Sequence, residues 1–269
     1  MAKRRIRGAH RILDLAHRVG MLDVVMQYEI AGVRFDVPLD VTPEWNADYI
    51  ATYDEESVSD IARWVRAHGE AIFVDCGAHL GVISIKVATR CGANLKQVVC
   101  IEPNPSLFGH LSANVARSPV STRAMNAAVG ETSGRGKLVS PPYDPSPEAR
   151  YMVRDAHGDI EITALDDLEL PEGVGIVIKI DVEGGELDVV RGAQDLLARS
   201  NGFAVTIEAH PDVVERTGIE PCAIARALHG IRPCRAHLVG GGAEVDINQP
   251  LFEQIGRAKC DLFITSENP

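Results

Sequence analysis

Residues 73–81, Phe-Val-Asp-Cys-Gly-Ala-His-Leu-Gly, constrain the fold more than any other part of this chain. An apolar run ends at Asp75, and Gly77 and Gly81 then follow four residues apart. The pattern predicts a buried strand, a tight turn and a helix that begins near Val82.

A second apolar run, at residues 98–101, ends in Glu102. A strand, a glycine turn, a helix and a strand that ends in a carboxylate form half of a nucleoside-binding fold. A dinucleotide needs a third glycine in G-x-G-x-x-G, whereas this turn reads D-x-G-x-x-x-G, and Asp75 would repel a pyrophosphate. A carboxylate suits the ammonium and sulfonium of S-adenosylmethionine, and Glu102 is then expected to accept hydrogen bonds from the ribose hydroxyls. The alternative is an ordinary βαβ unit in which Gly77 and Gly81 only permit close packing.

Size and composition favour a soluble enzyme. The chain has 269 residues, of which 45% are hydrophobic, enough for one large α/β domain with a short extension. A net charge of −11 disfavours a nucleic-acid partner. No apolar stretch approaches the roughly 20 residues that span a bilayer, and no signal peptide is expected. The 6 cysteines form no C-x-x-C pair, so neither a disulfide nor structural zinc is predicted, and the cytoplasm is the expected compartment.

The chain is expected to divide into an N-terminal extension, residues 1–55, and a main domain, residues 56–269. Apolar residues at helical spacing predict an amphipathic helix over about 9–19, with arginines on its outer face. This helix is expected to pack on the domain; pairing with a second copy of the chain or contact with an acidic membrane surface are the alternatives. Two strand patterns, 24–30 and 33–39, predict a hairpin after it.

The rest of the main domain alternates strand and helix patterns, which predicts a mainly parallel, doubly wound α/β sheet. We expect the third strand at 125–129, the fourth at 176–180 and the fifth at 204–207, with a single helix over 187–197. Residues 130–159 are rich in Gly and Pro and are interpreted as a long excursion with one or two short strands, typical of a lid.

Four strand patterns end in acids, namely Asp75, Glu102, Asp181 and Glu208. Ligands of such sheets bind outside the carboxyl ends of the strands, so these acids are expected to line one crevice. Lys179 precedes Asp181 by two residues and should share its face of the strand. A lysine within an apolar strand needs a partner, and a carboxylate of this cluster would serve.

In these motifs the chain resembles the FkbM family of S-adenosylmethionine-dependent methyltransferases. The resemblance covers roughly residues 70–212, and EPNP together with KIDVEGGE is its most specific part. The matching segments are VDCGAHLGVISI at 74–85, CIEPNPSLFGHLSANV at 100–115, NAAVGETSG at 126–134, ITALDDL at 162–168, IKIDVEGGELDVVRGA at 178–193 and TIEAHPD at 206–212.

The resemblance implies a seven-stranded sheet with an antiparallel last strand, and it implies a site for the methyl donor. The implied donor-site residues are Asp75, Gly77, Gly81, Glu102, Asn104, Asn126 and Ala127, with Asp181 beside them. The chain departs from the family in having His79 where asparagine is usual. His79 lies in the donor turn and is counted among the donor-site residues; the alternatives are that it alters the contacts to the donor or that it only replaces one polar group with another.

The implied reaction is methylation of a hydroxyl on a sugar or natural product by in-line displacement, with a base that takes the hydroxyl proton. The candidate bases are Asp181, Glu183, Glu208 and His210, of which His210 and Asp181 are preferred. As an alternative role, Glu183 and Glu186 would cap the helix that follows, and His210 would cap a helix or face solvent. Asp181, Glu208 and His210 are also a candidate set for a divalent cation, but no ligand geometry follows from the sequence, and no metal site is predicted.

Two other functions stay open at this stage. One is a non-catalytic module that keeps the nucleoside-binding fold as a scaffold, against which the intact strand-end acids argue. The other is a nicotinamide-dependent oxidoreductase, which the missing third glycine opposes.

Overall fold

A twisted sheet of eight strands forms the centre of the protein. The computed structural model describes residues 25–38, 45–140, 150–256 and 259–267. The helix expected at 9–19 lies outside the described residues. The strands of the described part are β1 (Val25–Ile30), β2 (Val33–Pro38), β3 (Ala71–Cys76), β4 (Leu95–Ile101), β5 (Thr122–Met125), β6 (Ala128–Val129), β7 (Gly134–Val139), β8 (Tyr151–Arg154), β9 (Ile160–Thr163), β10 (Gly175–Ile180), β11 (Phe203–Ala209), β12 (Cys234–Leu238), β13 (Glu244–Val245) and β14 (Cys260–Ser266).

Helices cover both faces of this sheet. They are α1 (Ala47–Thr52), α2 (Glu55–His68), α3 (Val82–Cys91), α4 (Pro105–Val115), α5 (Glu186–Arg191), α6 (Gln194–Arg199), α7 (Pro211–Thr217), α8 (Pro221–Ile231) and α9 (Leu251–Ile255). Two short 3₁₀ turns lie at Gly92–Asn94 and Leu165–Asp167. Within the described ranges, no helix combines the length and the apolar character needed to cross a membrane.

The order of the strands in the large sheet is β13-β12-β14-β11-β10-β3-β4-β5. Neighbours from β11 to β5 pair in parallel, whereas β14 is antiparallel to both β11 and β12. Apart from the two-residue β13, the sheet therefore has seven strands and an antiparallel last strand. The predicted doubly wound, mainly parallel α/β architecture is confirmed.

Burial of both faces explains why the core strands are continuous apolar runs. In β3 all six residues are buried. Ile72 and Val74 pack with α5, α6 and α8, while Phe73 points to the opposite face and packs with α2, α3 and α4. Each fully buried side chain of this size contributes about 1.5–3 kcal/mol to the stability of the fold. Asp75, two residues after Phe73, lies on the face that α2 and α3 cover.

The predicted hairpin joins β1 to β2 through Ala31 and Gly32, which both have positive φ, of 48° and 86°. This conformation is typical of the tight turns that fit twisted strands. The hairpin is attached to α4 by Asn114, whose Nδ2 donates to the Asp36 carbonyl at 2.9 Å while its Oδ1 accepts from the Asp36 amide at 2.8 Å. The hairpin is thus held beside α4.

Two sequence predictions were wrong about where a strand and a helix end. The strand expected at 125–129 ends at Met125, because the Asn126 side chain turns back to donate to the Glu102 carbonyl at 2.8 Å, and Ala128–Val129 joins another sheet. The helix expected over 187–197 is broken at Gly192, where the backbone lies against Gly130; a Cβ there would be 2.2 Å from the Gly130 carbonyl oxygen.

A second, four-stranded sheet has the order β6-β9-β7-β8. It accounts for the one or two short strands expected within 130–159, since β7 and β8 pair antiparallel there. Residues 141–149, between those strands, lie outside the described residues, and the lid interpretation stays a prediction.

Candidate active site

A row of polar side chains crosses the sheet just before the carboxyl ends of its central strands. Asp75 in β3, Lys179 in β10 and Thr206 in β11 are register neighbours, so their side chains share one face. All three are buried. Buried polar groups must find partners, and the contacts of this row define the site.

Lys179 forms an ion pair with Asp181, as the two-residue spacing predicts. Its Nζ lies 2.8 Å from Asp181 Oδ2, with 8% of the lysine side chain exposed and 23% of the aspartate. Burial would lower the pKa of Lys179, but the charges of Asp181 and Asp75 outweigh it and raise that pKa above its usual value. Burial would likewise raise the pKa of Asp181, but Lys179 lowers it. Both groups are therefore charged at neutral pH.

Asp75 lies beneath the turn rather than on an open surface. Its Oδ2 accepts a 2.6 Å hydrogen bond from Ser84 on α3, and Oδ1 has no hydrogen-bond partner within the described residues. Burial raises the pKa of Asp75, although the charge of Lys179 opposes this. The Asp75 carboxyl thus links β3 to α3 through Oδ2, and within the described residues its Oδ1 is available to accept a hydrogen bond.

The turn between β3 and α3 requires both of its glycines. Gly77 and Gly81 have φ of 86°, where other residues are strained. A Cβ on Gly77 would lie 1.9 Å from the Asp181 carbonyl oxygen, and one on Gly81 would contact Val115 and Leu111 at 2.8 and 2.9 Å. Close packing therefore accounts for both positions. A role of this turn in holding the donor stays a prediction.

His79 occupies the left-handed region in the same turn, with φ of 51°. Its ring centroid lies 5.0 Å from that of Trp45, and burial lowers its pKa to about 4. The imidazole is therefore neutral at physiological pH. Residues in the left-handed region are rare outside glycine, and Asn and His are among the more tolerant types, which explains why histidine can stand where the family usually has asparagine.

Glu102 is held against the turn by two backbone donors. Its Oε2 accepts from the His79 amide at 3.0 Å and its Oε1 from the Asn104 amide at 2.8 Å. The carboxyl is 6% exposed, and burial raises its pKa to about 7. Each oxygen has a second lone pair, so the group can accept two more hydrogen bonds.

Asn104 supplies a matching donor. It caps α4 by accepting from the Ser106 amide at 3.1 Å, and its buried Nδ2 has no acceptor within the described residues. Asn126 donates to the Glu102 carbonyl, and Ala127, beside it, is buried in the core. A carboxylate with spare acceptor sites beside a buried amide donor matches the polar atoms of an adenosine, so these residues fit a nucleoside-bearing cofactor.

A cavity of about 190 Å³ opens beside the ion pair. Four carboxylates and two lysines line it, in addition to Tyr53, Ile180 and Thr206. The charged members are Asp54, Asp181, Glu208, Asp261, Lys179 and Lys259. Glu208 and Asp261 face each other across β11 and β14, and Glu208 forms an ion pair with Lys259.

The other two candidate bases, Glu183 and His210, are not among the residues that line this cavity. Glu183 has φ of 55°, its carbonyl accepts from Arg216 at 2.6 Å, and burial raises the pKa of its carboxyl. At the start of α5, it is Glu186 rather than Glu183 that accepts a hydrogen bond from the Gly184 amide, through Oε1 at 2.7 Å. His210 precedes α7, is 37% exposed, and its Nδ1 lies 3.9 Å from Asp212 Oδ2.

Sequence reasoning did not single out Tyr53, Asp54, Lys259 or Asp261. Tyr53 and Asp54 come from the loop between α1 and α2, and Asp261 lies within the last strand. Burial, followed by the charge of Asp54, raises the pKa of Asp261 to about 6. Asp261 interrupts an apolar strand just as Lys179 does, and that signal could have identified it.

Other features of the described residues do not extend the site. None of their His, Cys, Asp and Glu side chains form a cluster of three suited to a metal ion. A larger cavity, of about 710 Å³, lies at the β12–β13 edge and contains none of the predicted site residues.

The strand order, the antiparallel β14, the glycine turn after β3 and the acid after β4 together define a class I, Rossmann-like methyltransferase. The sequence matches the Methyltransferase FkbM domain over residues 75–220, which is more than half of the chain. The chain therefore belongs to the FkbM methyltransferase family, and it is a methyltransferase.

One similar protein is the hexuronic acid methyltransferase AglP of Haloferax volcanii, 27% identical over 239 residues that cover 83% of this chain and 88% of AglP. Among solved structures, the FkbM methyltransferase of Methylobacillus flagellatus is 16% identical, with a TM-score of 0.47 over 83% of this chain and 56% of that one. An O-methyltransferase of Thermotoga maritima is 11% identical, with a TM-score of 0.44 over 81% of this chain and 67% of that one.

Proposed function

We propose that this protein transfers a methyl group from S-adenosylmethionine to a hydroxyl group of a sugar or a natural-product small molecule. The observation that carries this proposal is the pairing of two subsites at one edge of the sheet. Glu102 and Asn104 offer acceptors and a donor to a nucleoside, and an acid-lined cavity lies at the neighbouring strand ends. The similarity to a hexuronic acid methyltransferase supports a sugar as the acceptor.

The donor site that we propose keeps the residues that the sequence indicates. Glu102 would accept hydrogen bonds from the ribose hydroxyls, and Asn104 and the 126–127 segment would border the adenine. The turn would contact the methionine part, with Asp181 beside it. The proposed donor-site set is Asp75, Gly77, His79, Gly81, Glu102, Asn104, Asn126, Ala127 and Asp181.

S-adenosylmethionine, when bound, supplies a methyl group on a positively charged sulfur that is already a good leaving group. The protein must therefore align the acceptor oxygen with that methyl and exclude competing water. As the O–C bond forms and the C–S bond breaks, the hydroxyl proton must pass to a base on the protein.

We propose Asp261 as the base, which adds a residue to the sequence-derived candidates. Asp181 is paired with Lys179 and Glu208 with Lys259, and such pairing weakens a carboxylate as a proton acceptor. Within the described residues, the Asp261 side chain accepts a long hydrogen bond from Ser57 Oγ, at 3.5 Å, and burial raises its pKa to about 6, which is nearer to neutrality than the usual value of a carboxyl. We propose that Lys179 and Asp181 orient the acceptor, while Glu208, Glu183 and His210 remain as supporting groups.

Exchange of Asp261 for asparagine is expected to lower kcat by about 100-fold, in line with the usual contribution of a general base. The donor affinity should stay within twofold, because Asp261 lies outside the proposed donor residues. His210→Ala is the matched comparison and should lower kcat by less than tenfold. The measurement is steady-state methyl transfer together with calorimetric titration of S-adenosylhomocysteine. A larger loss in His210→Ala than in Asp261→Asn would assign the proton to the histidine instead.

The function itself is tested by calorimetry and a methyl-transfer assay. S-adenosylmethionine is expected to bind in the micromolar range and NAD to give no heat. Radiolabelled methyl should then pass to hydroxylated acceptors. Donor binding without transfer to any acceptor would favour the scaffold function, and tight NAD binding would favour the oxidoreductase.

A further inference from the structure

The loop that enters α2 brings an aromatic ring to the acid-lined cavity. Tyr53 lines this cavity together with the Lys179–Asp181 pair. Its ring lies 5.2 Å from Trp45 and 5.3 Å from Tyr49, measured between centroids, so two neighbouring rings hold it in place. No hydrogen bond involves the Tyr53 hydroxyl within the described part of the chain, whereas the Tyr53 carbonyl accepts from Lys86 Nζ at 2.7 Å. The backbone is thus anchored at the cavity that Tyr53 lines.

The size of the cavity limits what it can hold. Its volume of about 190 Å³ is below the roughly 300 Å³ at which pockets for drug-sized ligands begin. The space therefore suits a single small ring rather than an extended chain. A wider groove of about 530 Å³ adjoins it and shares Asp54, Lys259 and Asp261 with it, which leaves room for the remainder of a larger acceptor.

The charges along this path are mostly negative. The groove adds Glu55 and Glu56 to the acids of the cavity. Glu55 pairs with Lys86 and Arg90, but Asp54, Glu56 and Asp261 form no ion pair within the described residues. A carboxylate on the acceptor would meet like charges on entering, at a cost that grows as water is excluded.

We propose, on the basis of the function proposed above, that this cavity is the acceptor subsite and that Tyr53 is its specificity-determining wall. One sugar ring without negative charge would lie with its C–H face on the Tyr53 ring. The ring face of an aromatic side chain carries partial negative charge, which attracts the weakly positive C–H groups of a sugar. The sugar hydroxyls would donate to Asp261 and Glu208, and an amino sugar would bind by the same contacts with an added charge attraction.

Hexuronates are the acceptors that this arrangement disfavours. The carboxylate of such a sugar would replace a hydroxyl donor with an anion beside Asp54 and Asp261. The acceptor class inferred here therefore differs from the hexuronic acid named for the similar protein, AglP.

A matched set of nitrophenyl glycosides tests the charge of the acceptor. The β-glucoside, the β-glucosaminide and the β-glucuronide share one ring and differ in charge. At pH 7.5 we expect kcat/KM for the glucuronide to be at least tenfold below that of the better of the other two. Equal or better turnover of the glucuronide would overturn the inference while upholding methyl transfer. Turnover of none of the three, with S-adenosylhomocysteine binding intact, would overturn the assignment of the acceptor class.

Two tyrosines of the same aromatic cluster test the role of Tyr53. Tyr53→Ala is expected to raise the acceptor KM at least tenfold and to leave the dissociation constant for S-adenosylhomocysteine within twofold. Tyr49 belongs to the same cluster but does not line the cavity. Tyr49→Ala should therefore raise the acceptor KM less than threefold. Equal effects of the two variants would show that the cluster only stabilises the fold. If the wild-type protein did not bind S-adenosylhomocysteine at all, the proposed function itself would be contradicted.

Discussion

Lys179→Met is expected to reduce the free energy of unfolding by about 3 kcal/mol and to abolish methyl transfer. Removal of one partner from a buried ion pair leaves an uncompensated charge, which costs about 3–5 kcal/mol. The lower figure applies here because 23% of the Asp181 side chain is exposed. Asp75, the register neighbour of Lys179, would lose the same positive charge. Urea denaturation monitored by circular dichroism measures the change in the free energy of unfolding.

The chain offers a matched control in Lys137, whose Nζ lies 3.0 Å from Asp155 Oδ2 on the second sheet. The donor type is the same, but 54% of the lysine side chain is exposed. Lys137→Met should therefore change stability by less than about 1 kcal/mol, as exposed pairs usually do. If both variants lost the same small amount, the Lys179–Asp181 pair could not be counted as a structural requirement of the site.

Glu102→Ala is expected to weaken donor binding at least 100-fold. Hydrogen bonds to a charged group contribute about 1.5–3 kcal/mol each, and two ribose hydroxyls would lose their acceptor. Every 1.4 kcal/mol is tenfold in affinity. Calorimetric titration with S-adenosylhomocysteine measures the loss. Glu131→Ala is the control, because Glu131 is exposed and its one ion pair within the described residues is a 3.8 Å contact with Arg191. An unchanged dissociation constant in Glu102→Ala would contradict the donor-site assignment.

The same carboxyl predicts a pH dependence of donor binding. Since burial raises the pKa of Glu102 to about 7, the group is mostly ionised at pH 8 and mostly protonated at pH 6. A protonated carboxyl is a poorer acceptor, so donor affinity should fall as the pH is lowered, by up to about tenfold over these two units. Glu102→Gln should bind more weakly and lose this slope, which separates the protein group from titration of the ligand. A slope that persisted in Glu102→Gln would assign it elsewhere.

The fold was predictable because apolar runs and glycine turns act locally. The apolar segments at 71–74, 98–101 and 176–180, the last interrupted by Lys179, are short and bounded by turn residues, which favours buried strands, and their alternation with helix patterns favours a parallel core. The break after Met125 was not predictable, because it depends on Asn126 reaching the Glu102 carbonyl, a contact across 24 residues. The helix break at Gly192 was not predictable either. The Gly130 backbone leaves no room for a Cβ at this position, and a helix pattern in the sequence cannot reveal that contact.

The site was predictable in its parts and not in its grouping. Two-residue spacing alone placed Lys179 beside Asp181. Tyr53 and Asp54 come from the extension side of the expected domain boundary, and no local pattern links them to Asp261 near the other end of the chain. Antiparallel pairing of β11 and β14 brings Asp261 opposite Glu208, and only the assembled sheet shows this.

The missing side chain at Gly77 has a mechanical consequence. A Cβ at this position would lie 1.9 Å from the Asp181 carbonyl oxygen, so the loop after β3 cannot move towards that peptide without displacing it. Under the proposed function, a shift of this loop on donor binding would therefore reach Asp181 by direct contact, beside the place where we propose that the acceptor is aligned.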